Sequence, residues 1–145
     1  MSIYTNYMRK AIPVITVLTL LLCSACGDIH PTDNRKIDGY WLLTNVDTLS
    51  NSRGKDVTQE KLFWAIEGKL FQAGGLTLMT EKYGDTLHLY RPAPDSTAIN
   101  SKYSSIDPFR KYGINSFDEH FIIEQLNGKH LIVRDSLLKL QFRRY

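Results

Sequence analysis

Cysteine is nearly absent: Cys23 and Cys26 are the only two in 145 residues, and both lie near the start. A folded domain downstream of them cannot be stapled by an intrachain disulfide. No apolar run reaches the ~20 residues that a membrane-crossing helix needs. The longest, Ala11 to Leu22, is interrupted by Pro13, Thr16 and Thr19. Nothing after it keeps apolar residues at helical spacing, which argues against a helical bundle. Net charge is small as well. Lys+Arg number 18 and Asp+Glu 15, and Arg9 and Lys10 precede Cys26, so a chain starting at Cys26 carries 16 − 15 = +1. That is too weak a field for a nucleic-acid partner. Catalytic signatures are missing too. There is no HxH or HExxH spacing, no GxSxG, and no Lys-Ser/Thr or helix start after Gly74-Gly75. Zinc chemistry, a nucleophile elbow and a phosphate loop therefore have no support. No enzymatic activity, metal or cofactor is expected.

What is present begins with "MRKAIPVITVLTLLLCSAC", Met8 to Cys26. A basic pair, a short apolar stretch and small residues before a cysteine have the layout of a secretory signal. Met8 stands directly before the basic pair and is a second candidate for the true start. "LLCSAC" resembles a bacterial lipobox, with Cys23 where leucine is usual. The resemblance implies cleavage before Cys26 and lipid attachment there, which also accounts for an odd cysteine in an exported chain. The alternative is an ordinary signal cut near Ala25, leaving a free thiol. The expected organisation is a lipoprotein signal over 1–25, a polar tether over 26–36 and a single domain over 37–145. The expected address is the cell envelope, lipid-anchored in the outer membrane. Asp28 and Asp33 are too scattered to indicate which face.

Strand-like runs then follow one another, separated by turn residues. They are Gly39–Asp47, "KLFWAIEGKLFQ", Leu76 onward, "TLHLYRP", "HFIIEQL", "KHLIVRD" and "LLKLQFRRY". Between the first two, Asp56 and Gln59 mark a capped turn. For the hairpin around Asn127-Gly128, a three-residue loop would set Phe121 opposite Val133 and Ile123 opposite Leu131 on one apolar face. Short strands without crossover helices predict an antiparallel all-β barrel or sandwich.

Trp41 opens the first strand two residues after Gly39, and Arg144 closes the last on the same face as Leu138, Leu140 and Phe142. A large indole can plug the end of a small barrel, with glycine allowing close approach and arginine stacked over the ring. In an up-and-down barrel those residues share an end only if the strand number is even. Seven runs are visible, so "SKYSSIDPF" is the expected eighth strand.

Gly39-Tyr40-Trp41 with a closing arginine resembles the lipocalin, or calycin, superfamily. "IDGYWLL", "FWAIEGKLFQ", "FRKYGINSFDEHFIIEQLNGKHLIV" and "LLKLQFRRY" together are similar to lipocalin-like lipoproteins of Bacteroidetes-type bacteria. The resemblance spans Lys36 to Tyr145 and implies an eight-stranded antiparallel up-and-down barrel on the envelope, with no long helix. The chain departs from typical lipocalins in lacking their disulfide, their second loop motif and their C-terminal helix, which counts against a large open cup.

Two functions follow. Trp64, Phe71, Tyr90, Phe109, Tyr112 and Phe121 could line a pocket for a small apolar or amphipathic ligand, with "PAPDSTAINSKYSSIDPFRKYGIN" as a lid. Alternatively the aromatics fill the barrel, and the protein docks another envelope protein. His88, His120 and His130 are expected to face solvent, and "FDEH" to be a polar strand entry.

Overall fold

The computed structural model describes residues 36–91 and 103–145. The signal, Cys26 and the tether up to residue 35 lie outside the described residues, as does the stretch 92–102 of the expected lid.

Among the described residues there are nine strands: β1 (Gly39–Thr48), β2 (Arg53–Asp56), β3 (Phe63–Glu67), β4 (Leu70–Ala73), β5 (Leu76–Tyr83), β6 (Thr86–Tyr90), β7 (Asp118–Leu126), β8 (His130–Arg134) and β9 (Leu138–Arg144). All pairings are antiparallel, in the order β2-β1-β3-β4-β5-β6-β7-β8-β9, and β9 pairs back onto β1. Eight strands thus close a barrel. β2 is an outlier that pairs only with the second half of β1, from Asn45 to Thr48.

The eighth barrel strand is not where it was expected. "SKYSSIDPF" does not supply it; residues Asp107–Tyr112 form a 3-10 helix with Pro108 in its first turn. Proline has no N–H for a ladder, and its fixed φ suits a helix start. The missing strand comes from "FWAIEGKLFQA", which is a hairpin, with Glu67 paired to Leu70 across Gly68-Lys69. Gly68 takes φ +58°, the left-handed region open to glycine. The two-residue turn also shifts the parity of the inward positions. Trp64 and Ile66 face in on β3, then Phe71 and Ala73 on β4.

Two bulges do the same within single strands. An extra residue at Thr44 moves β1 from Trp41 and Leu43 to Val46, which pairs with Leu140. Another at Glu124 does so in β7. The β7–β8 register also differs from the expected one, because the turn falls later in the chain. Ile123, not Phe121, lies opposite Val133, and Leu126 lies opposite Leu131. Three residues, Asn127 to Lys129, separate the strands, one position later than the expected loop, and Asn127 N–H donates to His130 O at 3.0 Å. Asn127 Oδ1 accepts from the N–H groups of Lys129 and His130, at 2.9 and 2.8 Å. A side-chain acceptor thus does the work assigned to a left-handed glycine.

The core is the barrel interior. Inward residues of all eight strands are buried, among them Leu43, Leu78, Leu87, Leu89, Leu131, Val133 and Leu140.

Candidate functional site

At one end of the barrel, Trp41 is fully buried and its Nε1 donates to Ile37 O at 2.7 Å. Arg144 lies across the indole, its Cζ 4.4 Å from the ring. Its Nη1 donates to Asp38 O at 2.8 Å and its Nη2 to Lys36 O at 3.2 Å. The guanidinium therefore ties the chain entering β1 to the strand that ends the barrel. Gly39 has φ +137°, and a Cβ there would stand 2.5 Å from Arg144 Nη1. Glycine is required because the arginine occupies the space a side chain would take.

The interior is aromatic and occupied. The Trp64 ring lies 5.1 Å from Phe71, 5.5 Å from Phe121 and 4.5 Å from Phe142, centroid to centroid. Edge-to-face and tilted contacts at these distances are favourable packing, not the walls of a void. The opposite end is plugged by the 3-10 helix and the residues after it, where Phe109 and Ile114 are buried. Trp64 Nε1 donates to Tyr112 O at 2.9 Å, and Tyr103 packs edge-on against Phe109 at 4.8 Å. Gly113, at φ +81°, lets this plug lie directly on Leu140.

Of the six residues expected to line a pocket, Trp64, Phe71 and Phe121 fill the barrel, Phe109 stops its mouth, and Tyr112 is half-buried beside that plug. Tyr90 is on the other side of the wall. Leu87 and Leu89 take the inward positions of β6, so Tyr90 points outward, stacks on His88 at 4.7 Å and donates to Glu81 Oε1 at 3.1 Å. Strand parity within "TLHLY" carries that signal, since Tyr90 shares its parity with His88.

Sequence reasoning missed two features. Glu119 is buried on the inward face of β7, where its Oε2 accepts from Asn115 N–H at 2.9 Å. Burial pushes its carboxyl up to about 7, and nearby Asp135 acts in the same direction. The second is on the outer wall, where β6 and β7 bring His88 and Asp118 to 2.8 Å and His88 and His120 to a ring separation of 4.0 Å. Asp118 and His120 are two apart in "FDEH" and so share a face, and a histidine on the adjoining strand completes the group.

The outer wall also carries a groove of about 460 Å³ along β1, β3 and β4, lined by Tyr40, Ala65, Leu70 and Gln72 among others. Tyr40 is 62% exposed and Leu70 46%. A second hollow, about 470 Å³, lies between β2 and the 3-10 helix. Two of its cations are paired, Lys55 with Glu60 and Arg110 with Asp107.

The family model described as a lipocalin-like domain matches residues 20–145. The chain belongs to the lipocalin-like family. Among solved structures, this lipocalin-like barrel is similar to a lipocalin-like protein from Bacteroides uniformis, with a TM-score of 0.58 and 19% identity over 76% of this chain and 99% of that one. It is also similar to an uncharacterized protein from Bacteroides eggerthii, with a TM-score of 0.56 and 18% identity over 74% of this chain and 98% of that one. No curated protein matches the chain. The lipocalin-like barrel is a fold of the binding type in general. Among the described residues, the centre of this barrel is occupied by the packed rings of Trp64, Phe71, Phe121 and Phe142.

Proposed function

We propose that this protein is a non-catalytic, lipid-anchored lipoprotein of the cell envelope that binds through its outer surface, docking another envelope protein. The observation that carries this reading is the Trp64 cluster: Phe71, Phe121 and Phe142 lie within ring contact of it. An eight-stranded barrel is only just wide enough for side chains to fill, and here they do. The groove with Tyr40 and Leu70 supplies exposed apolar surface on the outside. Anchoring rests on the lipobox resemblance at Cys26.

The family's fold also supports an internal small apolar or amphipathic ligand, held in the mouth. That reading requires Phe109 and Ile114 to withdraw, exposing two side chains that are now buried.

Native mass spectrometry of the full chain, purified from its own membranes without detergent exchange, separates the two. A clean apo mass with a stoichiometric envelope protein is expected, and Leu70→Asp should abolish the association without changing the far-ultraviolet spectrum. A one-to-one small molecule retained by the protein would overturn the docking reading.

A further inference from the structure

We propose that His88, Asp118 and His120 form a binding site for a divalent transition-metal ion of the zinc class on the outer wall of the barrel. The strand ladder builds the site. Arg91 N–H donates to Phe117 O at 2.9 Å, and Ile123 N–H to Asp85 O at 2.7 Å. Those bonds put the hydrogen-bonded pairs of β6 and β7 at the odd positions of β6. His88 and His120, which face each other directly, are therefore a non-hydrogen-bonded pair, the arrangement in which opposite side chains come closest. Their rings lie 4.0 Å apart and 10° from parallel.

Asp118 stands two residues before His120 on the same face, with its Oδ1 2.8 Å from His88 Nε2. One donor atom from each of the three residues lies within 4.8 Å of the other two. Donors around a tetrahedral zinc-sized ion stand about 3.3 Å apart, given metal–ligand bonds of about 2.0–2.1 Å. Closing that difference takes a tilt of the His120 ring out of the stack, because nearly parallel imidazoles direct their lone pairs side by side, and both Asp118 and His120 are exposed, which leaves room for the movement. His88 is less free, held between the Tyr90 and His120 rings, and so acts as the fixed member.

Two imidazoles and one carboxylate suit zinc, copper or nickel, whereas magnesium and calcium prefer all-oxygen cages. Three protein donors leave a coordination position for water or for a ligand from outside. Glu81, directly across β5 from His88, adds negative charge beside the site. Lys69 stands 3.9 Å from Glu81 and offsets part of that charge.

The full chain is titrated with Zn²⁺ near pH 7.5 by calorimetry, while the imidazole resonances are followed by NMR. One saturable equivalent is expected to move the His88 and His120 signals. His88→Gln and His120→Ala should each weaken binding ~10-fold or more, and Asp118→Asn ~3-fold or more. His30→Ala and His130→Ala should leave the affinity unchanged. The proposal fails if no saturable equivalent binds, which would make the stack plain packing. It also fails if the shifting resonances are those of His30 or His130, or if His88→Gln and His120→Ala leave the affinity as it was. The resonance assignment on the unmodified chain decides the matter even if a variant fails to fold.

Discussion

Arg144 does three things at once: it covers an indole, fills the space above a glycine and binds two carbonyls on the chain before β1. Lysine can replace the charge but neither the planar stack nor the forked donors. Arg144→Lys should therefore cost about 1–2 kcal/mol in urea unfolding, and equal midpoints for the two proteins would remove the stacking account. Gly39→Ala should cost about 1–3 kcal/mol, because the backbone is strained for an L-residue and the new methyl meets Nη1. Glu119 makes the pH dependence specific. Its carboxyl titrates near 4.5 when unfolded and about 7 in the fold. Between those values the folded state holds the extra proton, so stability falls as pH rises through the window and levels off above it. Glu119→Gln keeps an acceptor for Asn115 without the charge. It should raise stability by about 1–2 kcal/mol at pH 8 and leave it nearly unchanged at pH 4.5. A wild-type stability curve that is flat from pH 4.5 to 8 would contradict this.

Strands were legible wherever alternation ran uninterrupted, as in β5, β6 and β9. They blurred wherever one residue was inserted. "FWAIEGKLFQA" is apolar on both parities because a two-residue turn reverses which parity faces inward, and that pattern is the signature of a hairpin rather than of one doubly buried strand. The bulges at Thr44 and Glu124 have no glycine or proline to announce them, so an unbroken count misplaces every residue beyond. The loop after β7 depends on Asn127 capping two amides. Asn127→Ala should cost about 1 kcal/mol and increase amide exchange at Lys129 and His130; unchanged exchange there would mean that the backbone alone holds the turn.

For the whole barrel, its closure could be read from Trp41 and Arg144, because only a meeting of the two extremes of the folded segment explains both. The fate of the interior could not. Whether aromatic side chains enclose a space or occupy it depends on how the residues after β6 come back over the mouth, and Phe109 and Ile114 carry no periodic pattern that shows this. Trp64 is the test of a solid centre. Trp64→Ala should cost about 3–5 kcal/mol, a loss expected of a packed aromatic and not of a cavity wall facing water. A loss under about 1 kcal/mol would point to a hollow barrel.

The pairing of β1 with β9 carries a further consequence, for timing. The two strands come from opposite extremes of the domain, so the seam between them cannot be sewn until the final strand has been made and delivered. Loop-closure entropy then falls due all at once, which makes for slow, all-or-none folding typical of β topologies with distant partners. A chain threaded through a membrane beginning first would have to wait, its indole uncovered, for its arginine to emerge.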